Sequence, residues 1–288
     1  MSLPAQQLMR RSGSVVAGPF LSHDPRMSIR SLAEERSRLF GQEAERYDRC
    51  RPRYPDVVID EMLGPAPAGL DVLDVGCGTG IASRQVAERG ANVLGVEAAP
   101  RMAEIARSHG IEVEVAPFED WDAAGRTFDH VISAQAWHWL DLPVSTAKAA
   151  SLLRPGGRLC LVWNAGCHPD DLADAIAEVY ARWFPAITAG FGYAANRPTD
   201  RRSGLTPVVE AIAAVPEFSP ATETWFPWAH RYDRDQWLDV LRSRSDHAAL
   251  DAVAREPLFE EIEAAIDERG GSFVMSFETG LIAATRLA

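Results

Sequence analysis

The chain has 288 residues, 47% of them hydrophobic, which is enough for one α/β domain with insertions. A net charge of −12 argues against a nucleic-acid partner, because surfaces that bind nucleic acid are usually basic. The four cysteines form no CxxC pair and no zinc-spaced cluster, so we expect no metal, no disulfide and a cytoplasmic location. No apolar run approaches the roughly 18 residues of a membrane span, so no membrane partner is expected.

The N-terminal segment, residues 1–28, is interpreted as a flexible tail because of its Ser, Gly and Pro content. Its apolar part, Val15–Ala17, is too short for an export signal. Whether residues 1–26 belong to the natural protein, or Met27 is the start, stays open.

Two helices are predicted next, Ser31–Tyr47 and Pro55–Leu63. Pro52 and Pro55 favour an extended or turn conformation between them. We interpret residues 29–64 as lid helices over a cofactor, with a solvated connector as the alternative for the proline-containing run.

From residue 71 onward, short apolar runs alternate with helical patterns. This alternation predicts right-handed βαβ units and a parallel sheet. The predicted strands are Asp71–Val75, Asn92–Val96, Glu112–Val115, Asp129–Ser133 and Arg158–Trp163. The predicted helices between them are Ile81–Arg89, Pro100–His109 and Leu142–Leu153.

Beyond residue 164 the pattern is less regular. Two further strands are predicted, Thr222–Ala229 and Ser272–Thr285, and residues 185–206 are expected to form a loop. The predicted helices of this part are Asp170–Phe184, Pro207–Val215, Tyr232–Arg244 and Leu258–Arg269.

A glycine-rich turn follows the first predicted strand, within Val72–Gly80. Gly76, Gly78 and Gly80 allow the backbone to turn tightly and to approach a ligand closely. The helix that begins near Ile81 adds free N–H donors and the positive end of its dipole. The turn therefore predicts a nucleotide-like cofactor at the end of the first strand.

The glycine spacing and Asp74 favour S-adenosylmethionine over NAD as this cofactor. Glu97 ends the second strand, 21 residues after Gly76, where a carboxylate can accept hydrogen bonds from ribose hydroxyls. NAD is the alternative, but Ile81 stands where the G-x-G-x-x-G fingerprint has its third glycine. Asp74 would also repel a pyrophosphate, whereas it can orient the amino group of a cationic ligand.

With these motifs the chain resembles the class I S-adenosylmethionine-dependent methyltransferases, in particular the small-molecule branch with trans-aconitate-type and ubiquinone-biosynthesis-type enzymes. The motifs are Val72–Gly80, Gly95–Ala98, Phe128–Trp139, Leu153–Gly157 and the Phe40–Pro55 segment. The resemblance is strong over residues 38–165 and weaker over 166–288.

This resemblance implies an α/β fold with a doubly wound, seven-stranded, mostly parallel sheet, the Rossmann-like methyltransferase fold, whose last strand is antiparallel. It implies one domain over residues 29–288, in which helical insertions at 165–270 form the acceptor pocket.

Motifs and resemblance together predict a set of residues that contact S-adenosyl-L-methionine. These residues are Asp74, Gly76, Cys77, Gly78, Gly80, Glu97, Ala98, Phe118, Glu119, Ala134 and Gln135. Many relatives carry an acid after strand three that binds adenine, but here Pro117 stands at that position. The backbone N–H of Phe118 or Glu119 is therefore expected to bind adenine, with the Phe118 ring as a packing surface. The alternative is that Phe118 packs in the core.

The segment Ala134–Asp141 follows strand four at the carboxyl edge of the sheet, where ligands bind in such folds. By resemblance it lies beside the methionine part of the cofactor and opens onto the acceptor. His138 is the candidate general base, because its ordinary pKa suits proton transfer, but a structural role in the loop is favoured. The weaker candidate bases are His168 and His230.

Five further residues are predicted to contact the acceptor. They are Tyr47, Arg53 and Tyr54 from the lid, Trp137 after strand four, and Asn164 at the end of strand five. Eight tryptophans favour an apolar or aromatic acceptor pocket.

The sequence therefore predicts an enzyme that methylates a small hydrophobic or aromatic acceptor, with O-methylation favoured, acting as a monomer or homodimer. Two alternatives stay open: an RNA or protein methyltransferase, and a homologue that binds the cofactor without turnover.

Overall fold

The computed structural model describes residues 43–183, 203–244, 247 and 252–288. The predicted tail, most of the first predicted helix and most of the predicted 185–206 loop lie outside these residues. The helices are α1 (Ala44–Cys50), α2 (Asp56–Leu63), α3 (Ile81–Ala87), α4 (Pro100–Ser108), α5 (Leu142–Leu152), α6 (Asp170–Trp183), α7 (Thr206–Ala213), α8 (Arg234–Arg242) and α9 (Ala252–Asp267). The strands are β1 (Asp71–Val75), β2 (Asn92–Glu97), β3 (Glu112–Val115), β4 (Phe128–Ala134), β5 (Leu153–Cys167), β6 (Thr222–Asp233) and β7 (Ser272–Thr285).

The seven strands form one sheet in the order β3-β2-β1-β4-β5-β7-β6. β7 runs antiparallel to both of its neighbours, β5 and β6. The four pairs among β1 to β5 are parallel. The predicted doubly wound, mostly parallel sheet with an antiparallel last strand is thus confirmed.

Helices cover both faces of this sheet, which explains why its central strands are apolar throughout. On one face, Val72 and Val162 pack with residues of α2 and α3. On the other face, Leu73 and Leu161 pack with residues of α5 and α7. A third buried cluster joins α6, α8 and α9 to the far ends of β6 and β7.

The main differences from the predicted boundaries are in β5, β6, α8 and α9. β5 extends beyond the predicted Arg158–Trp163 at both ends, because Leu153 pairs with Phe128 of β4 and the pairing with β7 continues to Cys167. β6 does not end at Ala229 but continues to Asp233, so Tyr232 lies in a strand and not in a helix. Asp233 then caps α8 in a capping box with Gln236. α9 starts at Ala252, before the predicted Leu258.

Helix α1 contacts the chain on two sides, near α4 and at α8. Ala44 packs against Ala99 and Met102 on the α4 side. Arg49 pairs with Asp239 of α8 at 3.1 Å on the other side. Among the described helices, none is long and apolar enough to cross a membrane.

Candidate active site

An open cleft of about 320 Å³ lies at the carboxyl ends of β1 and β4. Its lining combines the glycine turn with two tyrosines from the N-terminal segment. The lining residues are Tyr47, Tyr54, Asp74, Gly76, Cys77, Gly78, Thr79, Ile81, Ala82 and Ala134. Five predicted cofactor residues and two predicted acceptor residues therefore meet in one place.

The backbone of the glycine turn is left-handed at Gly76, Gly78 and Gly80. A Cβ on Gly76 would lie 2.5 Å from the Cβ of Ala136, so the turn and the loop after β4 touch here. A Cβ on Gly78 would meet no atom within 4 Å, because this residue borders the open cleft. Glycine therefore serves a different purpose at each position. Gly76 permits close packing, and Gly78 leaves room for a ligand.

Glu97 holds the turn from the end of β2. Its Oε2 accepts from the Gly78 N–H at 2.9 Å, and its Oε1 accepts from the Ala99 N–H at 2.8 Å. Burial raises the pKa of this carboxyl, while the backbone hydrogen bonds lower it. Each carboxylate oxygen can accept a further hydrogen bond, so the ribose hydroxyls expected here still have acceptors.

Asp74 lies beneath the turn and is fully buried. Its Oδ2 accepts from Ser83 Oγ at 2.6 Å, whereas its buried Oδ1 has no hydrogen-bond partner among the described residues. The pKa of Asp74 is raised to about 7, mainly by burial. The hydrogen bond from Ser83 opposes this increase, and the charge of Glu97 adds to it. An unpartnered carboxylate oxygen beside a cleft is a recognition element for a cationic group.

Gln85 of α3 fixes the backbone of the segment that carries Tyr54. Its Oε1 accepts from the Tyr54 N–H at 2.9 Å, and its Nε2 donates to the Tyr54 carbonyl at 2.8 Å. Arg84 donates to Asp48 of α1 at 2.9 Å. The N-terminal segment is thus attached to the helix that follows the glycine turn.

Arg51, which was not among the predicted site residues, contacts the cleft residue Tyr47, whereas Arg53 lies at the surface. Arg53 pairs with Glu88 at the exposed surface. The Cζ of Arg51 lies 4.8 Å from the centre of the Tyr47 ring, and its buried Nε has no hydrogen-bond partner among the described residues. The sequence context, Arg-Pro-Arg-Tyr-Pro, does not distinguish the two arginines.

Of the two residues predicted to bind adenine, Phe118 has its side chain in the core, and Glu119 has its side chain in a structural hydrogen bond. The Phe118 side chain is buried and packs with Trp121 and Trp137, which favours the core alternative for its ring. Glu119 Oε1 accepts from the Asp141 N–H at 2.9 Å and so holds the start of α5. Within the described chain, the backbone N–H groups of Phe118 and Glu119 have no acceptor.

Cys77 contributes its backbone to the turn, while its side chain packs inward. The Sγ lies so close to β2 that a Cβ on Gly95 would be 2.6 Å from it. Burial raises the pKa of this thiol well above its usual value. Ala98 and Ala134, two other predicted cofactor contacts, lie at the ends of β2 and β4, next to Glu97 and Gln135.

His138 accepts a hydrogen bond from another core side chain. Trp163 Nε1 donates to His138 Nδ1 at 3.0 Å. An indole N–H can only donate, so the proton of the neutral imidazole resides on Nε2. In this arrangement the ring has no nitrogen lone pair available to take a proton from an acceptor.

Trp137 has no exposed surface and packs against Phe118 in the main core. The predicted contact with an acceptor would require this side chain to move. His168 is also buried, among Trp237 and Phe273, and burial lowers its pKa to about 4. His230 stacks edge-on with Tyr232 at a centroid distance of 4.5 Å.

Asn164 lies within β5, three residues before its end and two residues beyond Val162, which pairs with Ala134 of the cleft. Gln135 follows Ala134 and donates from Nε2 to the Asn164 carbonyl at 3.1 Å. Gln135 adopts a φ of 61°, a left-handed conformation that is unfavourable for a residue with a side chain. In the described part of the chain, no three His, Cys, Asp or Glu side chains gather as a metal-binding group.

Residues 72–157 match a sequence family described as a methyltransferase domain. The chain is 41% identical over 133 residues to an uncharacterized methyltransferase of Mycobacterium tuberculosis, an alignment that covers 43% of this chain and 51% of the relative. It is 33% identical over 181 residues to a ubiquinone biosynthesis O-methyltransferase of Cereibacter sphaeroides, covering 57% of this chain and 71% of that relative. The chain thus spans about half the length of the mycobacterial relatives it matches.

Among solved structures, the chain is similar to a protein assigned as a type II methyltransferase from Anaeromyxobacter dehalogenans. The TM-score is 0.58 at 25% sequence identity, covering 82% of this chain and 98% of that chain. This similarity covers a larger share of the chain than the family match over residues 72–157.

Proposed function

We propose that this chain, which belongs to the class I S-adenosylmethionine-dependent methyltransferases, transfers a methyl group to a small acceptor with an apolar or aromatic body, preferentially to oxygen. The observation that carries the proposal is the unpartnered Asp74 Oδ1 beneath a glycine turn whose Gly78 opens onto the cleft. This combination suits a cationic ligand without phosphate.

The residues around the cleft fit the parts of this cofactor. Glu97 binds the ribose hydroxyls, and the backbone of the glycine turn provides the close approach. Asp74 binds the α-ammonium group, and Arg51 binds the carboxylate of the methionine part. When bound, S-adenosylmethionine supplies the methyl group on a sulfonium, which is a good leaving group.

Alignment of the acceptor and exclusion of water are then the main tasks of the protein. We assign the N-terminal segment to the closing of the cleft, because it supplies Tyr47, Tyr54 and Arg51 around it. The described residues within 165–270 are assigned to the acceptor pocket, since α6 follows the carboxyl end of β5.

An oxygen acceptor is supported by the ubiquinone biosynthesis O-methyltransferases among the relatives. An RNA acceptor is disfavoured by the net charge of −12, because phosphate backbones bind basic surfaces. A homologue without turnover would keep the cleft and bind the cofactor, so binding and transfer have to be measured separately.

Calorimetry with S-adenosylmethionine and S-adenosylhomocysteine tests the first step. We expect micromolar binding that weakens at least tenfold in Glu97→Ala and stays unchanged in Glu88→Ala, an exposed acid outside the cleft. Absence of binding at high micromolar concentration would overturn the proposal. Transfer of a labelled methyl group is then measured with phenols, quinones, carboxylates and amines. Binding without transfer to any of them would favour the non-catalytic homologue.

A further inference from the structure

Three side chains from β6, β7 and β5 form a hydrogen-bonded relay, and Gln135 links its last member, Asn164, to the cleft residue Ala134. Trp228 Nε1 donates to Thr279 Oγ1 at 2.8 Å, and Thr279 Oγ1 donates to Asn164 Oδ1 at 2.6 Å. Thr279 is fully buried, whereas Trp228 and Asn164 are half-buried. The relay therefore runs from a half-buried indole through a buried hydroxyl to the amide of Asn164, two residues beyond the last β4–β5 pair.

The direction of the relay follows from its donors. The indole N–H of Trp228 can only donate, so Thr279 Oγ1 must accept from it. The Thr279 hydroxyl proton then points to Asn164, and the amide atom that receives it must be the carbonyl oxygen. The amide orientation of Asn164 is thus fixed by chemistry, with its NH₂ group turned away from Thr279.

The backbone of Asn164 is fixed as well. Its carbonyl accepts from Gln135 Nε2, and the Gln135 N–H donates to the Val162 carbonyl at 2.9 Å. Gln135 reaches this position in the left-handed conformation noted above. Strained backbone of this kind is found preferentially at functional sites. The backbone carbonyl and the side-chain oxygen of Asn164 are thus both hydrogen-bonded, while its NH₂ group has no acceptor among the described residues.

Aromatic side chains flank the relay on the same sheet face. Phe226 pairs across the strands with Thr279, and Trp228 pairs with Phe277. Trp228 and Phe277 stack at 4.3 Å with an angle of 13° between their rings. Phe226 also packs against the buried cluster that contains Tyr54. A flat apolar surface thus lies beside two oriented N–H donors.

We infer that Asn164 determines the acceptor class, by donating from its NH₂ group to an oxygen lone pair of a hydroxyl or carboxylate on an aromatic body. Thr279 and Trp228 are positioning residues that hold this amide in one orientation. A group that can only donate, such as an ammonium, meets two N–H donors and is rejected. The inference rests on the proposed function, because it concerns the acceptor of the same methyl transfer.

The test uses protein loaded with S-adenosylhomocysteine and three probes with a common apolar body. The probes are 4-ethylphenol, 4-ethylbenzoate and 4-ethylbenzylammonium, and their dissociation constants are measured by calorimetry or ligand-observed NMR. We expect the phenol and the benzoate to bind at least tenfold more tightly than the ammonium. Asn164→Asp replaces the donors by a carboxylate and is expected to reverse this preference.

Thr279→Val separates the positioning role from direct contact. Without the hydroxyl, the amide is free to rotate, so the preference is expected to fall below about threefold, while Thr279→Ser retains it. Thr222→Val is the matched control: this threonine also lies in the β6–β7 pair, bonds to a backbone carbonyl, and lies outside the relay. It is expected to keep the wild-type preference.

Equal affinity for all three probes, no binding of any probe, or an unchanged preference in both Asn164→Asp and Thr279→Val would overturn the inference. Each variant is first titrated with S-adenosylhomocysteine. Failure of the wild-type protein in this titration would instead overturn the proposed function. A variant that has lost the titration is replaced by Trp228→Phe, which preserves more of the packing. For Trp228→Phe we expect the same reduced preference as for Thr279→Val.

Discussion

Trp163 donates its indole N–H to Nδ1 of His138, and this hydrogen bond gives the histidine a role in the core of the domain. The same contact occupies the nitrogen that a general base would use. A general base is needed only when the acceptor must lose a proton. Methyl transfer to an acceptor that has no proton to lose does not require one.

His138→Asn places an amide oxygen near the position of Nδ1 and can still accept from Trp163. We expect kcat to remain within about threefold of wild type, with an unchanged pH profile of kcat. His138→Ala leaves the indole N–H without a partner and is expected to lower the unfolding free energy by about 1–3 kcal/mol. A loss of kcat by more than a hundredfold in both variants, with disappearance of one limb of the pH profile, would establish His138 as the base.

The pKa of about 7 for Asp74 predicts a pH-dependent affinity for the cofactor. The carboxylate is charged above this pH and neutral below it, so the affinity for the cationic ligand is expected to fall as pH decreases from 7 to 5. The decrease approaches tenfold per pH unit at most. In Asp74→Asn the affinity should be weak and nearly independent of pH. A flat profile in the wild-type protein would show that Asp74 does not face the ammonium.

The same carboxyl has the opposite effect on the stability of the ligand-free protein. Its pKa is raised in the folded state relative to the ordinary value, so the folded protein binds the proton more tightly than the unfolded chain. Its stabilising contribution is present below about pH 4 and is lost as pH rises through about 7. Urea unfolding should therefore show Asp74→Asn gaining stability relative to wild type between pH 5 and pH 8. A constant difference would contradict the burial of the ionised group.

Gly76 and Gly110 allow a matched comparison of two glycines with positive φ. An alanine at Gly76 would bring its Cβ to 2.5 Å from Ala136, whereas a Cβ on Gly110 meets nothing within 4 Å. Gly110→Ala is expected to cost about 1 kcal/mol of unfolding free energy, from backbone strain alone. Gly76→Ala should cost clearly more and abolish calorimetric binding of S-adenosylhomocysteine. Equal losses for the two variants would mean that the contact with Ala136 relaxes freely.

Gln85→Met removes both hydrogen bonds to the Tyr54 backbone while keeping the side-chain length. The buried N–H and carbonyl of Tyr54 then lack partners, so we expect a loss of about 1–3 kcal/mol and faster hydrogen exchange at Tyr54. Cofactor affinity should fall with it, since the segment is less well held over the cleft. Arg53→Met, in the same segment, removes an exposed ion pair and is expected to change stability by less than about 0.5 kcal/mol. Slow exchange at Tyr54 in Gln85→Met would show that other contacts hold the segment.

The central sheet was predictable because the sequence of each βαβ unit marks its own strands and the starts of its helices. β1 and β3 have the predicted bounds, and the helices begin at Ile81 and Pro100 as predicted. The extension of β6 was less apparent, because its half-exposed residues lack strict alternation. The capping box of Asp233 and Gln236 was a local signal that marked the true start of α8.

The geometry of the candidate site was predictable where one βαβ unit supplies its parts, as at Gly76, Gly78 and Glu97, and Glu97 does contact the turn. It was not predictable where partners come from distant strands. Thr279 lies 115 residues from Asn164, and their contact depends on the pairing of β5 with β7. Sequence periodicity predicts which side chains of a strand share a face. It does not predict which strand pairs with it or in what register.

The position of β7 inside the sheet has a consequence for synthesis of the chain. β5 leaves the ribosome long before its partner Ser272–Thr285 is made, and β6 also precedes that partner. Until then the growing chain exposes an apolar, unpaired strand edge, which is a site for aggregation. We therefore expect the nascent chain to depend on chaperones until β7 inserts. The same late insertion brings Thr279 to Asn164, so the proposed acceptor side of the site forms last.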